Sequence, residues 1–262
     1  MNNDFLRDLV MAGVKWELSD ETVGFVVESA PAAPRVRTIS NNVVPPISPV
    51  STVSVETARA MAERPTTTAV LCRMIDEFNH PLRAGVSNVV VPHVAPNPNG
   101  VLVITDIPSS EDDATGRILS GPAGELFDKM IGAIGMSRES VSISPILFWR
   151  TPGGRTPSRL EMDLARPFID RLIELTEPKI IITLGTLAAA EIANIDLMRN
   201  HGAETAGPGG ARVFSIYHPN YLILKTAAKQ DVWTVLQKIK SHTPPFSTVP
   251  PFPPERGVCK NC

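Results

Sequence analysis

The segment Val101 to Gly124, VLVITDIPSSEDDATGRILSGPAG, constrains the fold of this chain more than any other stretch. The apolar run Val101 to Ile104 reads as a strand buried on both faces, as in a parallel sheet covered by helices. It ends at Asp106 and Pro108, passes the acidic turn Ser110-Glu111-Asp112-Asp113, and reaches Gly116, Gly121 and Gly124 before a helix. In an open α/β sheet, ligands bind outside the carboxyl ends of the strands. The segment therefore predicts one wall of a site. A strand end far along the chain, Tyr217-His218-Pro219-Asn220-Tyr221-Leu222, brings further polar groups and is the expected second wall.

The rest of the central chain alternates in the same way. Ser54–Glu63 and Thr67–Asn79 read as helices, with Thr67 and Thr68 available as caps. Val89–Val91 is a short strand candidate. Helices are expected over Ala123–Ile134, Thr156–Glu177, Ala188–Ile195 and Ala227–Lys240, and strands over Val141–Phe148, Lys179–Leu184 and Arg212–Tyr217. Strands alternating with helices predict an α/β fold whose parallel sheet is covered on both faces.

Proline sets the outer limits. The chain has 262 residues and 25 prolines, many of them in Ala30–Pro49 and Thr243–Glu255, segments that favour extended chain over a packed core. The expected organisation is an N-terminal helix and Pro-rich linker over 1–65, a compact domain over 66–242, and a Pro-rich tail over 243–262. A net charge of −2 gives no overall attraction to nucleic acid, so any polyanion site must be a local patch. No apolar run approaches the roughly 18 residues of a membrane span. The N-terminus lacks the basic-then-apolar order of a signal peptide. Three cysteines do not make a disulfide framework, so a reducing cytoplasm is expected.

Four segments occur in a telling order. They are Thr105-Asp106-Ile107-Pro108-Ser109-Ser110-Glu111-Asp112-Asp113 through Gly121-Pro122-Ala123-Gly124; Ile143-Ser144-Pro145 through Trp149-Arg150-Thr151-Pro152-Gly153-Gly154-Arg155-Thr156-Pro157; Pro178 to Ala189, PKIIITLGTLAA; and Tyr217 to Leu224, YHPNYLIL. In order and spacing they resemble the motifs of family 4 uracil-DNA glycosylases, from about Phe78 to Lys240. Phe5 to Val14 is similar to the leading helix of some bacterial members. The resemblance implies a three-layer α/β/α domain with a central, mainly parallel four-stranded sheet. It also implies DNA as partner and hydrolysis of the N-glycosidic bond of a flipped, deaminated base. A monomer is expected.

The resemblance assigns roles residue by residue. His218 matches the histidine that donates to the departing base, although a histidine capping a strand end would look the same in sequence. Asp106 stands for the family's glutamate, and Asp112 and Asp113 fall at its acidic positions, where they either place a water or form a solvated turn. Ile107, Pro108 and Ser109 continue the loop. Thr105 and Ser109 replace two family glycines, and Ile107 replaces an alanine. Leu119 stands where the family stacks a phenylalanine and so lacks a π face. Pro145 stands where the family's asparagine reads uracil, and a proline side chain offers neither donor nor acceptor; the neighbouring Ser144 is the conceivable substitute. Arg150, Arg155, Lys225 and Asn220, the turn Gly185-Thr186, and a wedge among Leu222, Ile223 and Leu224 are the expected DNA contacts. An ordinary charged surface is the other reading of these cations.

Many family members hold an iron–sulfur cluster on four cysteines. Here the matching positions are Pro81 or a neighbour, Trp149 and Ala165, with Cys72 alone nearby, so no cluster and no metal are expected. Cys259 and Cys262 form a CxxC that is at most half a zinc site. Two functional classes stay open: a base-excising enzyme, or a catalytically impaired relative that binds DNA or protein through the same cleft. A nucleotide or small-molecule binder is a third.

Overall fold

The computed structural model describes residues 53–243. The segment Phe5–Val14, the linker Ala30–Pro49, most of the Pro-rich tail, and Cys259 and Cys262 lie outside these residues.

Four five-residue strands form the parallel centre: β1 (Val101–Thr105), β2 (Val141–Pro145), β3 (Ile180–Leu184) and β5 (Arg212–Ile216). A short edge strand, β4 (Glu204–Ala206), pairs antiparallel with β5. The sheet thus has five strands in the order β2-β1-β3-β5-β4, one more than the sequence suggests. The extra strand is short, polar and largely exposed, so no hydrophobic pattern marks it. Val89–Val91 does not form a strand. Val90 donates to the Phe148 carbonyl (2.9 Å), Pro92 interrupts, and His93 makes an isolated antiparallel bridge with Ile143.

Helices cover both faces. On one face lie α1 (Val55–Ala62), α2 (Thr68–Glu77) and α5 (Arg159–Thr176). They are joined by a short segment, α6, that begins as an α-turn (Thr186–Ala188) and continues as a π-helix (Ala189–Ala193). Ser54, Thr67 and Ser158 cap the first three helices through their side-chain oxygens, and Ser158 forms a capping box with Glu161. Ala58 and Ala62 of α1 are buried and α1 packs on α5, so the packed unit includes residues upstream of Thr66. On the other face lie α4 (Gly121–Ala133), α7 (Pro219–Leu224) and α8 (Lys229–His242). Alternation along each strand splits the core accordingly. Leu102, Ile104, Ile181 and Val213 face the first group, and Val101, Val103, Ile182 and Phe214 the second.

The chain leaves β1 for β2 on one side and returns to β3 on the other. The carboxyl ends of β1 and β3 therefore flank a topological switch point, where an open sheet leaves a crevice. Among the described residues no helix is long and apolar enough to cross a membrane.

Candidate functional site

A cleft of about 320 Å³ opens at this carboxyl edge, between the loop after β1, the loop after β2 and the start of α7. Ile107, Pro108, Ser109, Glu111, Asp112, Leu119, Arg150, His218 and Asn220 contribute to its lining. Eight of the seventeen expected site residues thus meet in space, although their sequence positions span more than a hundred residues. A larger groove of about 850 Å³ lies elsewhere, lined by Pro178, Lys179, Gly209 and Arg212. Arg212 and Arg166, also in that groove, already pair with Glu204 and Asp170.

The acidic turn is a helix, α3 (Ser110–Thr115), and this decides what its acids do. Ser109 and Asp112 form a capping box: Ser109 Oγ accepts from the Asp112 N–H, and Asp112 Oδ2 accepts from the Ser109 N–H (3.1 and 3.0 Å). Asp112 Oδ1 accepts from the Ser120 N–H at 2.6 Å, so both of its oxygens are engaged although it lines the cleft. Asp113 turns away from the cleft and accepts from the backbone of Ser87 and Asn88 (2.8 and 3.1 Å). Backbone donors thus hold both acids, Asp112 within the cleft wall and Asp113 outside it. Glu111, not singled out in the sequence, is the exposed acid at the cleft. Hydrogen bonds from its own N–H, Ser110 and Ser109, with Arg150 nearby, keep its carboxyl below the usual range.

Asp106 points at the first turn of α6. Its Oδ1 accepts from the Ala188 N–H at 2.8 Å. Burial raises its carboxyl to about 6, against the pull of the N–H groups of Ala188, Leu187 and Thr186. Gly185 makes this contact possible. Its φ is +108°, and any Cβ there would collide with the Asp106 carboxylate. Gly185 is buried beside this carboxylate, while Thr186 is exposed at the start of α6.

His218 is the N-cap of α7, and its Nδ1 accepts from the Asn220 N–H at 3.1 Å. That bond places the proton of the neutral ring on Nε2. Burial lowers the ring to about 4, only partly offset by Asp112. His218 is therefore neutral at physiological pH and presents an N–H donor at the cleft.

The opposite wall is apolar and held in an unusual conformation. Leu119 is buried with φ +51°, a left-handed backbone rare for leucine. Arg138 secures it, donating to the Ile118 and Leu119 carbonyls (2.8 and 2.7 Å) while pairing with Asp128 at 2.7 Å. Gly124 is required beneath, because a Cβ would run into the Leu119 carbonyl. Sequence reasoning missed Arg138, whose contacts lie about twenty residues upstream.

The remaining expected residues are scattered. Ser144 and Pro145 are buried at the end of β2, and Ser144 Oγ donates to the Pro145 carbonyl at 3.0 Å. Neither lines the cleft. Arg155 forms a bidentate pair with Glu161 (2.9 and 2.6 Å). Leu222 is 1% exposed and belongs to the core, so it is not an available wedge; Leu224, at 80%, projects furthest beside exposed Lys225, with Ile223 at 42%.

Nothing at the expected cluster position suits iron–sulfur ligation, which needs four thiolates. Trp149 and Ala165 are fully buried. Trp149 stacks flat on His80 (4.2 Å between centroids) and packs against Phe78 and Phe148. Cys72 is the one cysteine among the described residues, and its thiol donates to the Pro92 carbonyl. No group of three or more His, Cys, Asp or Glu among them is placed to hold a metal ion.

Comparison with known proteins agrees with this architecture. The chain is 27% identical over 158 residues to the type-4 uracil-DNA glycosylase of Archaeoglobus fulgidus, covering 57% of this chain and 79% of that protein. It is 30% identical over 126 residues to the type-4 enzyme of Thermotoga maritima, covering 47% and 66%. With that of Sulfurisphaera tokodaii it shares 36% identity over 86 residues, 32% and 39% of the two lengths. The model of the uracil DNA glycosylase superfamily matches residues 91–240, more than half of the chain, from ahead of β1 through most of α8. With the switch-point cleft and its histidine already in place, this match makes the chain a member of the uracil-DNA glycosylase superfamily.

Proposed function

We propose that this protein is a DNA glycosylase that hydrolyses the N-glycosidic bond of a flipped, deaminated base. The observation that supports it most is His218, a neutral ring with its N–H on Nε2 at the cleft. When the C1′–N bond breaks, the electron pair leaves with the base and charge collects on its carbonyl oxygen. A donor already aimed at that charge, in a partly desolvated cleft, stabilises the transition state more than the ground state. Water then adds to C1′ and releases its proton to solvent.

The loop from Ile107 to Glu111 is the part that holds this water, with Glu111 as its exposed acid. Asp106 acts one step back. It fixes the start of α6 by accepting from its first N–H groups, which leaves the exposed side chain of Thr186 as the group there that can meet a phosphate. Arg150, Asn220 and Lys225 border or follow the cleft and supply further DNA contacts, with Leu224 rather than Leu222 as the wedge. The reaction needs no metal, and we propose that the protein works without an iron–sulfur cluster, since Trp149 and Ala165 fill that position with packed side chains.

A second reading has its own support. Leu119 and the buried Pro145 present little to read a base, which suits a catalytically impaired relative that binds DNA or protein. Excision from labelled oligonucleotides carrying one uracil or one hypoxanthine separates the two. The first reading predicts strand breaks after alkali treatment. No release from either base, with salt-dependent DNA binding retained, leaves the second.

A further inference from the structure

β1 ends on a polar side chain for which the described structure supplies no partner. Thr105 is 3% exposed, and its Oγ1 is buried without a hydrogen bond. Other buried threonines do not behave this way. Thr183 donates to Ser215 Oγ at 2.7 Å, and Thr151 to the Arg155 carbonyl at 2.6 Å. Buried hydroxyls are ordinarily paired, so an exception calls for a reason.

Its position supplies one. Thr105 pairs in register with Pro145 on β2 and with Leu184 on β3, and Leu184 pairs with Ile216 on β5. Alternation puts Thr105 on the sheet face of Val101 and Val103, which pack in one cluster with Leu119, Leu184 and Ile216. Four side chains thus form the last row at the carboxyl edge: Pro145, Thr105, Leu184 and Ile216. Only Thr105 among them carries a polar side-chain atom. The cleft loops leave from this same edge, Ile107 to Glu111 after β1 and His218 after β5, and Leu119 belongs to both the row's cluster and the cleft, while Thr105, like Pro145, is covered and does not itself line the cleft. The other unpartnered side chains lie elsewhere: Trp149 in the aromatic core, Asn99 at the amino end of β1, and His201 and Thr205 near β4.

We propose that Thr105 is a selectivity residue at the sheet edge behind the cleft, its hydroxyl donating to a carbonyl oxygen on the edge of a base whose insertion displaces the side chains that cover it. The inference rests on the base-binding reading of the cleft. A buried hydroxyl with no protein partner gains a strong bond when a carbonyl arrives. A base without one leaves it unpaired, and sites built on such a bond discriminate by that loss.

The experiment compares wild type, Thr105→Val and Thr105→Ser. Valine keeps the shape and deletes the hydroxyl; serine keeps the hydroxyl. Thermal midpoints are read without DNA, and again with free uracil, hypoxanthine or adenine. Excision of uracil is read as kcat and KM. Thr105→Val should melt at or above wild type, because it removes an unpaired group, yet lose about tenfold in kcat/KM, about 1.4 kcal/mol. Thr105→Ser should stay within about threefold of wild type. Uracil and hypoxanthine should raise the midpoint of wild type but not of Thr105→Val, and adenine that of neither.

Unchanged kcat/KM in Thr105→Val overturns the inference. So does a fall in its midpoint without DNA, which would reveal a structural partner for the hydroxyl. If wild type excises nothing but free uracil still stabilises it and not the valine variant, the catalytic reading fails while Thr105 keeps its role. If no base stabilises wild type and none is excised, both fail.

Discussion

The two walls of the cleft are made of different material. On the α7 side, His218 is oriented by a backbone N–H and lies near Asp112, whose own oxygens are held by the chain around it. On the α4 side stands Leu119, apolar and fixed through its backbone by Arg138. The first wall is a preset hydrogen-bond donor, and the second is a shaped surface. The contrast teaches that one cleft can join a donor fixed by a helix cap to an apolar surface fixed by a pinned left-handed backbone. In the proposed function the α7 wall stabilises the leaving base through a hydrogen-bonding side chain, and the α4 wall meets it through shape.

The largest expected effect strikes the first wall. His218→Ala should lower single-turnover excision by about 10²–10³, as does loss of one preset donor to a developing oxyanion, with the thermal midpoint lowered only by the loss of the α7 cap, about 1 kcal/mol. Next comes the support of the second wall. Arg138→Leu removes two hydrogen bonds to carbonyls and an ion pair, so denaturant unfolding should show a loss of about 2–3 kcal/mol, with KM rising more than kcat falls. Leu119→Phe sharpens the contrast more gently. An aromatic ring adds about 0.5–1.5 kcal/mol of stacking, part of it offset by the left-handed backbone, so KM should fall a few-fold while kcat holds.

Stability also carries a pH signature. Asp106 is raised to about 6, so the folded state favours its protonated form, and its contribution to stability is lost as pH rises from about 4 to 6. His218 is lowered to about 4, so the fold favours the neutral ring, and its contribution is lost as pH falls from about 6.5 to 4. The two slopes oppose each other. Stability of His218→Gln should therefore decline with rising pH across this window, and that of Asp106→Asn should climb. Parallel slopes in the two variants would show that these groups do not titrate as the geometry requires.

The strands flanking the cleft were legible in the sequence because β-branched runs such as KIIITL have few other uses than a buried parallel strand. His218 and the loop after β1 were legible because strand ends in such a sheet are where ligands sit. The fates of the acids were harder to read. Asp112 and Asp113 resemble a catalytic cluster in one dimension, but Ser109-Ser110-Glu111-Asp112 is also a capping box, and local backbone donors claimed both. Asp106 was claimed by a helix eighty residues later, made accessible by Gly185. β4 carries no pattern at all, and Arg138 acts across a turn that sequence spacing does not reveal. Leu222 reads as part of an apolar run, and only packing shows that it points inward and Leu224 outward.

The central claim is that a neutral His218 is the donor that lets the base leave. Single-turnover excision of uracil by wild type and His218→Ala, followed from pH 5 to 9, tests it most directly. The account predicts a wild-type rate with no basic-side loss from imidazole titration near 6.5, and a variant slower by about 10²–10³ at every pH. A wild-type rate that falls as pH rises through 6.5, or a variant within a few-fold of wild type, would contradict it.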